Sequence, residues 1–523
     1  MELNHSGKSV LVVDNQLDDL STLRSMLSRI GFSRIQVASS ANMALNLLKA
    51  ERYDLCFVNY DLGRDRKNGL QLLQEAADAG CRPYTTAFVL VVEQKLSTLL
   101  FGSLEHSPDT YISKPYDLSD IRHRLGKLMR IKAVTAVLDK QREAGRCEDA
   151  LQTCRQLIDA YPGLLVYLQR LMGIMLIRLE RYDEAMALFS ELIQKRKLPW
   201  AEVGLGWVQY RLWRLDEAFD TLNGVLERQQ ICAEAFLWLG RVHWARGELA
   251  DAVTLMRKAV LLQPTVPALQ AQLADYSVLV GDWKQAAAGY RAAVEFSRNS
   301  SQVRTSYYFA LGGVLLRQLD KMPFSDIEAE LMRVLEEVLL AHSGECWVQC
   351  RTRMQMAMLY RGRDRIRWER AVRDAWLVWQ RLPPVQQQVS LELLLEAAAG
   401  SAVEAKLRAA ELDDEPASDL SGAIASYHHW QRVQHEGNWR QAWLAIKELV
   451  GYCRDFDNLR IQQVQIGLEW LADEEFDADR RWLLAESTRL LGQVSTGALS
   501  EQQLQRYRGV WQRCADQQQV CQS

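Results

Sequence analysis

Small residues return about every 34 positions through the middle of this chain, and that recurrence constrains its architecture more than any other feature. Alanines stand at Ala150, Ala185, Ala218, Ala252 and Ala286, at intervals of 35, 33, 34 and 34 residues. Gly173, Gly206, Gly240 and Ala274 each lie twelve positions ahead of the last four. That offset puts one small residue on each of two antiparallel helices, where their backbones must approach closely. A unit of this length cannot bury its apolar face alone, so neighbouring units stack and share a core. Pro162 and Pro264 fall twelve residues after their alanines, where the missing N–H ends a helix.

The first 126 residues or so follow another rule. Ser9–Val13 is a short apolar run ending at Asp14, and a helical spacing follows at Leu20, Leu23, Met26, Leu27 and Ile30. Gly31 closes that helix as a C-terminal cap would. Further strands are expected at Arg34–Ala38, Tyr53–Asn59, Ala87–Val92 and Thr110–Ile112, with helices between them, one of them over Ala41–Glu51. Alternating strands and helices with short connections imply an α/β domain with a doubly wound parallel sheet. Function in such sheets gathers at the carboxyl ends of the strands. Here those ends carry Asp14 and Asn15, Asn59 and Asp61, Val92, and Lys114-Pro115.

The segments V-L-V-V-D-N, Y-D-L-C-F-V-N-Y-D-L-G and P-D-T-Y-I-S-K-P resemble the receiver domain of two-component response regulators, a flavodoxin-like fold, over residues 1–128. The resemblance implies two acidic residues for Mg²⁺ after the first strand and a phosphoacceptor aspartate ending the third. It also implies a hydroxyl residue ending the fourth strand and a lysine after the fifth. Asp14 and Lys114 match. Asn15 is a neutral amide where a hard cation favours carboxylate oxygen, Asn59 replaces the acceptor, and Val92 replaces the hydroxyl. Tyr111 matches the family's aromatic switch position without its hydroxyl partner.

Two readings follow. In one, the pocket is degenerate and the receiver is a docking face that is not phosphorylated at the usual position. In the other, Asp61 serves as acceptor, with Asp14 and Asp61 holding Mg²⁺. Residues i and i+2 of a strand point the same way, but Asp61 would sit about 6–7 Å further along the chain.

The repeat resembles the tetratricopeptide repeat, clearest in A-F-L-W-L-G-R-V-H-W-A-R-G-E-L-A-D-A-V from Ala235 to Val253. It spans 129–300 as an all-α solenoid. A helical continuation is expected over 301–411, a linker at Leu412–Ser421, and a similar helical region over 422–515. Leu118–Arg130 runs into Ile131–Arg142 without a proline- or glycine-rich break, so the two domains are expected to be stiffly joined. By repeat phase, Tyr167, Arg170, Trp207, Tyr210, Arg211, Arg241 and Trp244 line the inner groove, and aromatics with arginines suit a peptide or helix.

With 63 basic against 66 acidic residues in 523, the chain lacks the excess charge of a nucleic-acid binder. No apolar run approaches the ~20 residues that span a bilayer, and Met1–Lys8 lacks the layout of a secretory signal. Ten cysteines include no C-x-x-C. Cys346 and Cys350, one turn apart, read as reduced thiols, and His428, His429 and His435 as ordinary histidines. The expectation is a cytoplasmic, non-enzymatic adaptor or inhibitor without a resident cofactor, its partners a histidine kinase or another response regulator. The alternatives are a conventional switch using Asp61, and an assembly scaffold in which the receiver caps a dimer.

Overall fold

The computed structural model describes residues 7–63, 68–93, 108–228, 232–298, 304–412, 430, 433, 437–473 and 477–522. They fall into two compact units. One comprises residues 1–242, 255–266 and 296–302, the other 243–254, 267–295 and 303–523. The linker expected at Leu412–Ser421 and the three histidines His428, His429 and His435 fall outside the described residues, except Leu412, which ends a helix.

The first unit begins with five strands: β1 (Ser9–Val13), β2 (Arg34–Ala38), β3 (Leu55–Asn59), β4 (Ala87–Glu93) and β5 (Thr110–Lys114). All pair in parallel in the order β2-β1-β3-β4-β5. Strands covered on both faces need apolar residues at every position, and β3 and most of β4 are buried throughout. One face of the sheet packs Val12, Phe57 and Val89 against α1 (Leu17–Ile30) and the start of α4 (Leu118–Glu143). The other packs Leu11, Val58 and Leu90 against α2 (Ala41–Ala50) and α3 (Gly69–Asp78). Gly31, at φ 113°, ends α1 in the left-handed region that favours glycine.

Helix α4 is continuous for 26 residues, so the last helix of the α/β domain is also the first of the solenoid. The next five helices follow as α5 (Cys147–Ala160), α6 (Leu165–Arg178), α7 (Tyr182–Lys195), α8 (Pro199–Arg211) and α9 (Leu215–Arg228). Ala150, Ala185 and Ala218 lie on the second helix of each pair and are fully buried. Close approach explains the glycines. A Cβ on Gly173 would lie 2.5 Å from the Phe189 ring, and one on Gly206 2.5 Å from Leu222.

Helix α10 (Ala233–Ala245) and α11 (Leu249–Leu262) carry the fourth unit of the repeat. The second unit contains α12 (Pro267–Leu279), α13 (Trp283–Ser297), α14 (Thr305–Leu316), α15 (Phe324–Ala341), α16 (Cys346–Tyr360) and α17 (Arg365–Trp379). It continues with α18 (Pro384–Ala398), α19 (Ala402–Leu412), α20 (Trp439–Tyr452), α21 (Asp457–Asp473), α22 (Asp477–Leu491) and α23 (Glu501–Gln522). Cys350 sits in an apolar cluster with Met354 and Val372, while Cys346 is exposed. Among the described residues, no helix is long and apolar enough to cross a membrane.

Candidate functional site

The parallel register brings the strand ends together. Asn59 pairs with Val91, and Glu93 with Lys114. Asp14 and Asn59 are only 5% and 6% exposed, so each polar group there needs a partner. Lys114 Nζ reaches Asp14 Oδ2 at 3.4 Å and Asp19 Oδ2 at 2.6 Å. Burial works against its charge, but the Asp19 hydrogen bond and the Asp14 charge outweigh that and hold its pKa above the ordinary lysine value. Asp19, in the first turn of α1, is a site residue the sequence reading missed. Its signal was an acid five residues beyond Asp14, in the first turn of the following helix.

Asn15 has an equally specific place. With its amide nitrogen facing the acceptors, it donates to the Asp61 carbonyl oxygen at 3.0 Å and to Asp14 Oδ1 at 3.2 Å. The Asp61 side chain is exposed, and its Oδ1 accepts the Gly63 N–H at 2.9 Å, closing its own loop. Val92 is fully buried on the α2–α3 face of the sheet and pairs with Ser113, and β4 runs one residue further, so exposed Glu93 occupies the register of Lys114.

Tyr111 lies at the joint between sheet and solenoid. Burial pushes its phenol up to about 12, while the Arg170 and Arg82 charges pull the other way. Around it the α/β domain is bonded into α4. Lys132 Nζ contacts Asp109 Oδ1 at 2.8 Å and donates to the Tyr84 carbonyl at 2.7 Å. The Arg142 guanidinium lies 3.8 Å from the centre of the Tyr84 ring. Arg142 also meets Asp139 at 3.2 Å, and Thr135 Oγ1 donates to Asp139 at 2.9 Å. Burial raises the Asp139 carboxyl above the ordinary range, against Lys132 and Arg142.

The residues expected to line the groove divide. Burial forces the Tyr167 phenol far up, and it lowers Arg170 against the charges of Glu234, Tyr111, Tyr167 and Asp109. Tyr167 packs against the apolar cluster of the solenoid, and the Arg170 guanidinium lies 5.5 Å from the centre of the Trp200 ring. Tyr210 is 7% exposed and Trp244 1%, so both are core, contrary to the expectation from repeat phase. Arg211 Nε donates to the Tyr182 hydroxyl at 3.0 Å. Trp207 and Arg241 meet at a residue the sequence reading missed. Trp238 stacks on Trp207 at 4.7 Å, and the Arg241 guanidinium lies 4.4 Å from its ring centre.

Residues 10–126 match the family model of the response regulator receiver domain, and residues 203–267 match that of the tetratricopeptide repeat. A receiver domain with such repeats defines a class: a two-component signalling protein with a protein-interaction region. Among characterised relatives, the alginate biosynthesis transcriptional regulatory protein AlgB of Pseudomonas aeruginosa is 28% identical over 145 residues, covering 28% of this chain and 31% of that protein. Its Pseudomonas putida counterpart is 27% identical over 130 residues, covering 25% and 28%. The chain thus spans under a third of the length of these relatives. Similar solved structures include MamA of Desulfovibrio magneticus RS-1, 24% identical with a TM-score of 0.28 over 33% of this chain and 97% of that one. A repeat protein from Cytophaga hutchinsonii is 12% identical with a TM-score of 0.39, over 48% and 98%.

Proposed function

We propose that this protein is an adaptor or inhibitor in a two-component pathway, whose receiver docks partners without being phosphorylated at position 59. The observation that carries the reading is the Asn15 amide, which bridges the Asp14 carboxylate and the Asp61 carbonyl. Both oxygens are hard donors of the kind a divalent cation takes. A neutral N–H₂ group now holds them, and the single positive charge of the Lys114 ammonium is shared between Asp14 and Asp19. Mg²⁺ fits this donor set poorly, since Asn15 and Asn59 bring no charge and Asp61 Oδ1 is held by Gly63.

Asn59 has no anionic oxygen with which to attack phosphorus, so the pocket supplies docking surface, not chemistry. Its partner in the pathway is a histidine kinase or another response regulator, and the solenoid takes a second protein. The rival reading, phosphorylation of Asp61, draws support from the exposure of that carboxylate. Incubation with Mg²⁺ and a small phosphoryl donor, read as intact mass, decides between them. We expect no added mass. A phosphoryl adduct that disappears in Asp61→Ala would establish a conventional switch instead.

A further inference from the structure

Between α22 and α23 the chain makes a single tight turn, Thr496–Ala498, whose first two residues are buried. The groups that hold it come from α12, α13, α14, α16 and α21. Asp457 Oδ2 accepts the Ser495 N–H at 3.1 Å, and Asp275 Oδ1 accepts the Thr496 N–H at 2.7 Å. The Thr496 hydroxyl donates to the Asp275 carbonyl at 3.0 Å. The Tyr290 hydroxyl accepts the Gly497 N–H at 3.0 Å. On the other side Arg317, just past α14, donates to the carbonyls of Gly497 at 3.2 Å and Leu499 at 2.6 Å, and Arg351 donates to that of Ala498.

Side chains of the solenoid thus grip the main chain of the segment, as a peptide-binding groove grips a ligand of loosely specified sequence. Selection enters at one position. A Cβ on Gly497 would lie 2.6 Å from the Tyr290 ring and 2.9 Å from the Ala310 carbonyl oxygen. The segment also walls a cavity of about 690 Å³ lined by Trp347, Phe456 and Arg460. There Arg460 Nε and Gln503 Nε2 are buried without hydrogen-bond partners. The groove therefore has room and polar capacity beyond what the turn uses.

An empty groove would leave the Arg317 and Arg351 guanidiniums without the three carbonyls they hold. Both are half-buried, and desolvation lowers the Arg351 guanidinium to about 10. Leaving a partly buried charged donor unsatisfied is costly, so this surface favours an occupant, either this segment or one that resembles it. We propose that the surface formed by Asp275, Tyr290, Arg317 and Arg351 is a peptide-recognition site that residues 495–499 fill in cis. Its external ligand is a protein turn carrying a hydroxyl residue, glycine and a small residue in succession. The proposal rests on reading the solenoid as a protein-interaction region and adds the ligand class and the internal competitor.

The test uses the full chain and a fluorescent peptide of residues 493–500, with anisotropy read for wild type, Gly497→Val, and Gly497→Val with Arg317→Ala. The peptide should bind Gly497→Val at least about tenfold more tightly than wild type, because the tethered competitor is gone. Adding Arg317→Ala should abolish that gain, and a peptide carrying Gly497→Val should bind neither protein. Absence of binding to a Gly497→Val chain with wild-type circular dichroism and a cooperative melt would overturn the proposal. Should that variant not fold, the wild type decides by hydrogen exchange with millimolar unlabelled peptide. Faster exchange at 495–499, with α12 and α14 still protected, is expected; unchanged exchange would refute it. The receiver's phosphorylation is read separately by mass, so either reading fails without the other.

Discussion

The carboxyl of Asp275 makes the grip on residues 495–499 sensitive to pH. Burial is the largest cause of a rise from 3.8 to about 7; the Tyr290 hydroxyl and the Thr496 N–H and hydroxyl pull it down, and the Asp457 charge pushes it up. A carboxyl whose pKa is raised by folding stabilises the protein fully below its unfolded pKa, and that contribution is lost as pH rises through the folded one. The whole gap corresponds to ~4 kcal/mol, of which ~1.4 kcal/mol falls between about pH 6 and pH 8, a tenfold change in an opening equilibrium. Local opening leaves Asp275 partly shielded, so tenfold is a ceiling. The assay is hydrogen exchange at the Gly497 amide, corrected for the intrinsic pH dependence. Protection should fall towards tenfold from pH 6 to pH 8 in wild type and stay level in Asp275→Asn. An identical slope in Asp275→Asn, or none in wild type, would refute the reasoning.

Asn15→Asp removes the N–H₂ donor and sets a second carboxylate against Asp14; we expect ~1–3 kcal/mol of destabilisation, largely recovered in millimolar Mg²⁺, read as melting temperature with and without the ion. Asp139→Ala leaves Arg142, Lys132 and Thr135 facing a buried void, at a cost of ~3–5 kcal/mol, seen as lowered denaturant resistance of the first unit. Gly206→Ala forces a methyl against Leu222 and should cost ~1–3 kcal/mol, whereas Gly224→Ala, whose Cβ meets only the Arg228 guanidinium at 3.5 Å, should be neutral or stabilising by up to ~1 kcal/mol. Paired thermal melts check the contrast.

The three central strands were legible because strands buried on both faces must be apolar at nearly every step, so β1, β3 and β4 appeared as apolar runs. The edge strands β2 (R-I-Q-V-A) and β5 (T-Y-I-S-K) are half-exposed and carry polar residues. The ends of the central strands were legible for the same reason: the first polar residue after each run marks the rim. The end of β4 was misplaced by one residue because Glu93, though polar, still belongs to the ladder. The bridge from Asn15 to the Asp61 carbonyl was not legible, since it depends on a main-chain oxygen 46 residues away and on the turn closed by Gly63. In the solenoid, repeat phase tells which face of a helix looks inward. It does not tell what another part of the chain lays over that face. Trp244 had the right phase for a groove, yet its carbonyl accepts the Trp511 indole N–H at 3.2 Å, from 267 residues further on. Tyr167 likewise had the right phase and packs into the solenoid's apolar cluster, while Arg170 lies over the Trp200 ring.

The two polar sites share one device. In the receiver pocket the Asn15 amide holds the oxygens a cation would take, and Lys114 shares its one positive charge between Asp14 and Asp19. In the second unit, residues 495–499 supply the main-chain groups that Asp275, Arg317 and Arg351 need. The groups that define each site are partnered from within the chain, so neither needs a small ligand for stability. On this reading, what changes the state of the protein is competition. A partner must offer the same hydrogen bonds as the internal occupant and gain the rest of its affinity from surface outside the site. Such a partner is a protein, because only a macromolecule brings enough additional contact to displace a tethered competitor.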